Sequence, residues 1–159
     1  MKATTRLFAL LSAAALMAAL GACSPSVSTP SAASVLETMA SYRESMMEHK
    51  IPYVGDNSSV GKLLGFLPPI DENYRQNMFA TQTQTEPYGL TIYYEPQDGK
   101  HRSDAPQPAQ TLLNEYAQAL FDNIENLGIV TFAYRPTPSN DTLDETAYQS
   151  LSTFDRPAE

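Results

Sequence analysis

Apolar positions recur with two rhythms after residue 34, one near 3.6 residues and one near 2, and the changes of rhythm predict the elements. Val35, Leu36, Met39, Tyr42, Met46 and Met47 lie mainly on one side of a helix expected from Val35 to about Lys50, closed by Pro52. Ser34 and Glu37 have capping-box spacing at its start. After the turn Tyr53-Val54-Gly55-Asp56-Asn57, the residues Val60, Leu63, Leu64 and Leu67 form a second helical stripe. Asn57 or Ser58 is its expected cap, and Pro68-Pro69 its end.

The rhythm then drops to two. Met78 to Thr85 alternates and is rich in threonine, Glu86-Pro87-Tyr88-Gly89 reads as a turn, and Leu90 to Glu95 alternates again. This predicts a hairpin with Leu90, Ile92 and Tyr94 on one face and Thr91, Tyr93 and Glu95 on the other. Gln97 to Pro108 is polar, with a turn expected at Asp98-Gly99. Ala109 to Leu127 has the longest apolar helical face, through Leu113, Tyr116, Ala117, Leu120, Phe121, Ile124 and Leu127, with Gly128 placed to end it. Ile129 to Tyr134 follows as a strand. Strand, helix and strand in this order predict a right-handed crossover and a parallel pair. Thr142 to Thr153 reads as a last short helix, capped by Asp141 and packing through Leu143, Ala147 and Leu151, after which Phe154 to Glu159 is expected to fray. The expected fold is α+β. A small three-stranded sheet, a hairpin plus the strand after the crossover helix, is packed by helices in a single domain over residues 35–159.

The first 34 residues have a different character. Lys2 and Arg6 precede an apolar run from Leu7 to Leu20, shorter than the roughly 20 residues that a spanning helix needs and consistent with a secretory signal over residues 1–22. Leu20-Gly21-Ala22-Cys23 closes the run and resembles the lipobox of bacterial lipoproteins, in which the cysteine is acylated and becomes the first residue. Cys23 is the only cysteine, so lipidation is its expected fate and no intrachain disulfide is available. Two or three acyl chains anchor a protein stably where one does not. Residues 23–34 continue as a Ser/Pro linker without charge. The expected location is therefore extracytoplasmic and lipid-anchored to the cell membrane. In a two-membrane cell Ser24 would resemble an outer-membrane sorting signal.

The formal net charge is −8, and loss of Lys2 and Arg6 with the signal makes the mature chain more acidic still. This argues against a nucleic-acid partner. His49 and His101, the only histidines, stand at no ligand spacing from each other, and neither a metal nor a cofactor is expected.

Tyr53-Val54-Gly55-Asp56-Asn57-Ser58 followed by Val60, and Gln82-Thr83 with Glu86-Pro87-Tyr88-Gly89-Leu90-Thr91-Ile92, resemble the family named domain of unknown function 4825. Ala119-Leu120-Phe121, Ile124, Asn126 and Val130-Thr131-Phe132 fit it as well, so the resemblance covers roughly residues 53–134. It implies an external, membrane-linked domain of Firmicutes and related bacteria, found in small lipoproteins and beside sensor-type membrane metallopeptidases. It carries no catalytic residues to transfer.

Nucleophilic catalysis needs an activated Ser, Cys or Thr beside a base, and no Gly-x-Ser-x-Gly elbow is present. The remaining catalytic candidates are carboxylates: Asp56, Glu86, Glu95 and Asp98. Two of them near the Gly55–Asn57 turn and the Tyr93–Asp98 strand end would make a cell-envelope hydrolase. The favoured expectation is a non-enzymatic binding, sensing or accessory module that binds a protein, peptide or small ligand outside the membrane, with a protein or peptide partner in the envelope. Its candidate surface is Thr91, Tyr93, Glu95, Tyr88 and Asp56, since nine tyrosines without a tryptophan supply rigid amphipathic contact area. Glu95 is read as a solvated charge on that surface.

Overall fold

The computed structural model describes residues 32–140 and 142–158, with side chains from Ala40 onward. The signal segment, Cys23, the linker as far as Ser31 and Asp141 lie outside the described residues, and the expected linker residues 32–34 belong to α1. The helices are α1 (Ala32–Met47), α2 (Asn57–Leu64) and α3 (Gln110–Asn123). The strands are β1 (Tyr74–Gln82), β2 (Tyr88–Pro96), β3 (Leu127–Tyr134) and β4 (Gln149–Asp155). Because α1 begins at Ala32, Ser34 lies in its first turn rather than at its cap.

The fold is α+β, but the sheet has four strands in the order β1-β2-β3-β4, not three. The central pair β2/β3 is parallel, as the crossover through α3 requires, and both outer pairs are antiparallel. The fourth strand takes the last five residues of the segment expected to be helical, Gln149 to Thr153, and Glu145–Ala147 makes a single 3-10 turn before it. The expected helix rested on the four-residue spacing of Leu143, Ala147 and Leu151, whereas Phe132 pairs with Ser152 and Ala133 with Ser150, so Leu151 is the extra residue of a bulge in β4. A second bulge, at Asn77, hides the start of β1: Gln76 pairs with Tyr94 and Met78 with Tyr93, so the strand begins at Tyr74 instead of Met78. The hairpin connection is Thr83–Pro87, with a cis peptide before Pro87, and Tyr88 and Gly89 belong to β2.

One face of the sheet carries the core. Leu90, Ile92, Tyr94, Val130 and Phe132 are buried with Leu113, Tyr116, Ala117, Leu120 and Phe121 of α3. Fully burying side chains of this size contributes about 1.5–3 kcal/mol each. Tyr42 and Met46 of α1 extend the core, with Tyr42 edge-on to Tyr116 at 5.5 Å. α3 stops at Asn123, short of the expected Leu127, because Ile124 is taken into a parallel bridge with Ile51. The Ile51 N–H donates to the Asn123 carbonyl at 2.8 Å, and the Glu125 N–H to the Ile51 carbonyl at 3.0 Å.

The C-terminal segment is pinned through Arg156 rather than frayed. Its Nε donates to the Leu127 carbonyl at 2.6 Å, and Nη2 donates to the carbonyls of Phe121 at 2.7 Å and Ile124 at 2.6 Å. The guanidinium also lies over the Phe121 ring, 5.3 Å from its centroid. A cation at the negative end of α3 thus adds a charged donor to carbonyls at the helix end and its exit, of which Ile124 also accepts the Leu127 N–H at 3.2 Å.

Candidate functional site

The segments Tyr53–Ser58, Gln82–Leu90 and Ile124–Gly128 converge at one end of the sheet. Asn126 Oδ1 accepts the Val54 N–H at 2.8 Å, which ties the first loop to the exit of α3. Asp56 caps α2, accepting the Ser59 N–H at 3.1 Å and its hydroxyl at 2.7 Å. These bonds, the hydroxyl first, hold the Asp56 carboxyl below its usual range. Thr81 Oγ1 bonds Asn57 Oδ1 at 3.3 Å, joining α2 to β1. Tyr53 folds back over Gly55, where a Cβ would lie 2.2 Å from its ring, so any larger residue there would turn the Tyr53 ring out of this position. The Tyr53 ring stands edge-on to Tyr88, 6.4 Å between centroids, and remains 46% exposed. The neighbouring Glu86 charge, foremost, raises the Tyr88 hydroxyl pKa. Gly128 sits against Pro87, which would be 2.6 Å from an added Cβ.

Thr91, Tyr93 and Glu95 face away from the helices as expected, yet only Thr91 is partly exposed. Tyr93 is 4% and Glu95 2% exposed, which corrects the reading of Glu95 as a solvated charge. The connection from β3 to β4 covers them. Ser139 N–H donates to Glu95 Oε2 at 3.0 Å, and the Tyr148 hydroxyl donates to Glu95 Oε1. The Tyr148 ring packs on Tyr93 at 4.5 Å, with Arg135 over it at 5.4 Å. Asn77 Nδ2 donates to Ser139 Oγ at 3.3 Å. Burial pushes the Glu95 carboxyl pKa up, but the donors from Ser139, Tyr148 and Asn77 outweigh it and hold the group low. Burial, and then the adjacent carboxylate, push Tyr148 up to about 12. Glu95 is thus a buried anchor for a connection rather than part of an open surface. Its partners Ser139 and Tyr148 lie 44 and 53 residues further along, so no local pattern betrays them.

Asp56 and Glu95, the carboxylates nearest the two ends expected to meet, stand apart. Asp56 stands beside Asn57, which bonds Thr81 opposite Leu90, whereas Glu95 lies five residues along β2 opposite Arg75. At roughly 3.3 Å per residue that separates the two ends by about 17 Å. Paired carboxylates in glycoside hydrolysis stand about 5–9.5 Å apart. Asp98 is paired with Arg102 at 3.1 Å. His49 Nδ1 contacts the Ser45 carbonyl at 3.0 Å, and His101 Nδ1 contacts Thr137 Oγ1 at 3.1 Å. Among the described residues no three His, Cys, Asp or Glu side chains gather as metal ligands, and no helix is long and apolar enough to cross a membrane.

The family model described as Domain of unknown function (DUF4825) matches residues 46–149. The match takes in the converging loops and the Glu95–Tyr148 contact. No curated protein and no solved structure matches the chain.

Proposed function

The chain belongs to the DUF4825 family, and from that premise we propose that it is a lipid-anchored extracytoplasmic binding module, without catalysis, for a protein or peptide partner in the envelope. The observation that carries this reading is the exposed Tyr53 ring braced edge-on by Tyr88 at the end of the sheet. Rigid aromatic side chains at a well-packed surface are the residues on which binding energy concentrates. Beside them runs the outer strand β1, and from Gln76 to Thr85 the chain has no charge, proline or glycine to discourage an added strand. The separation of Asp56 from Glu95 favours binding over carboxylate hydrolysis. Location rests on the lipobox-like Leu20–Cys23, and the linker gives the domain reach from the lipid surface.

A photoactivatable residue replacing Tyr53, compared with one replacing the exposed Thr111 on α3, tests the patch in cells. One discrete adduct from position 53, lost with Tyr88→Ala, is expected. Equal labelling from both positions, or none from position 53, overturns the reading. Cys23→Ala tests the anchor separately: a longer, unlipidated precursor is expected, and processing and fractionation like the wild type would refute lipidation.

A further inference from the structure

The end of the sheet that carries Tyr53 and Tyr88 also holds an open groove of about 520 Å³, within the volume range of ligand sites. Glu86 and Tyr88, from the end of the hairpin connection and the start of β2, line it together with Glu125 and Asn126 from the exit of α3. The Tyr53 ring, edge-on to Tyr88 and 46% exposed, continues the aromatic surface of Tyr88.

The charges of this groove carry the chemical signal. Glu86 and Glu125 are exposed, and neither forms an ion pair among the described residues. Arg156 is the one cation among the lining residues, and it is committed elsewhere. Its Nε and Nη2 donate to the carbonyls of Leu127, Phe121 and Ile124, so its charge answers the end of α3. The Glu86 charge lies close enough to the Tyr88 hydroxyl to raise its pKa, which sets carboxylate and aromatic ring side by side.

Unpaired carboxylates beside tyrosine rings attract a cation twice, through its charge and through the negative face of the rings. An anionic partner is repelled, and an apolar one would desolvate both carboxylates without compensation. A metal ion is disfavoured, since no third acidic or imidazole side chain joins the two among the described residues. A planar guanidinium suits the site best, because it stacks on an aromatic ring and also donates to carboxylates in a fork. We propose that the groove receives a basic side chain of a peptide partner, foremost arginine, whose guanidinium meets Glu86 and Glu125 and whose stem lies against Tyr88. This rests on the binding reading of the Tyr53–Tyr88 patch and specifies the chemistry of the partner. The formal net charge of −8 draws such a partner in from a distance.

Fluorescence anisotropy on the purified full chain tests this. The probe is a short dye-labelled peptide of alternating threonine and alanine with paired arginines at its centre, beside the same peptide with citrulline, which keeps the shape and loses the charge. The arginine peptide is expected to bind at least about tenfold more tightly, a difference of about 1.4 kcal/mol, and to weaken as salt rises. Glu86→Gln with Glu125→Gln, both at exposed sites, should bring the two peptides to equal affinity. Glu44→Gln with Glu48→Gln, which removes the same charge from exposed positions on and just beyond α1, should leave the difference in place. Absence of arginine-peptide binding at millimolar concentration, equal affinity of the two peptides for wild type, or equal loss from the two double variants would each overturn the proposal. Crosslinking from position 53 separates this from the reading beneath it. An adduct that survives Glu86→Gln with Glu125→Gln keeps the binding module and refutes the basic side chain, whereas no adduct even in the otherwise wild-type chain refutes the module itself.

Discussion

Arg156→Ala removes one charged donor from three backbone carbonyls at once, those of Phe121, Ile124 and Leu127. Hydrogen bonds to a charged group contribute about 1.5–3 kcal/mol each where water cannot replace the donor. Arg156 is half-buried and borders the groove, so water reaches part of the site once the guanidinium is gone. The expected total loss is accordingly about 2–4 kcal/mol, including the interaction with the helix dipole. At about 3–5 °C per kcal/mol for a domain of this size, Tm should fall by about 6–20 °C. Arg156→Lys should recover only part of this, because an ammonium keeps the charge but not the planar fork that reaches three carbonyls. Thermal and urea unfolding of the three proteins, followed by circular dichroism, read the difference. An alanine variant within about 2 °C of wild type would mean that the segment frays after all and that the pinning contributes nothing.

Tyr148→Phe should cost about 1–3 kcal/mol at neutral pH, since the buried Glu95 carboxylate loses a donor. Glu95 is held below its unfolded value of about 4.3, so its stabilisation is complete above that pH and disappears as pH falls through the lower folded value. Removing a donor raises the folded value, and acid unfolding of Tyr148→Phe should begin at a higher pH; unchanged acid and urea midpoints would refute the bond. Gly128→Ala should destabilise by about 1–3 kcal/mol because its Cβ would lie 2.6 Å from Pro87 Cβ. Gly89→Ala, whose Cβ would make an ordinary 3.5 Å contact with Gln82, should cost clearly less, and equal urea midpoints for the two would refute this packing.

Elements whose apolar spacing agrees with their final contacts could be read directly from the chain. The stripe Val60, Leu63 and Leu64 is buried as α2, the Leu113–Phe121 face meets the sheet, and β2 and β3 pair in parallel. What escaped was set by partners distant in sequence. Ile124 has good helical spacing, but its bridge to Ile51 outcompetes another turn of helix. Leu143, Ala147 and Leu151 have helical spacing, but Leu151 sits at a bulge of a strand paired to β3, whose partners lie about twenty residues back. On the candidate surface, Tyr88 and Asp56 do lie at the same end of the sheet. Tyr93 and Glu95 have the predicted orientation and are nevertheless hidden, because a polar connection with no strong period of its own supplies Ser139 and Tyr148 to cover them. Tyr53 and Arg156 gave no local signal of their roles: one depends on the fold of a glycine turn, the other on carbonyls brought to it by α3.

The mixed pairing of the sheet also bears on the order in which it can assemble. β1 and β2 are joined by the short Thr83–Pro87 connection, and β3 and β4 by residues 135–148, so each antiparallel pair closes a modest loop. The parallel seam between them encloses residues 97–126, and its loop is longest just where the backbone hydrogen bonds are most deeply buried. Two ribbons can therefore form early while their union waits for α3 to lie across both. The seam is where an incompletely folded chain would expose two unsatisfied strand edges to its neighbours, and α3 is the element whose arrival removes that hazard.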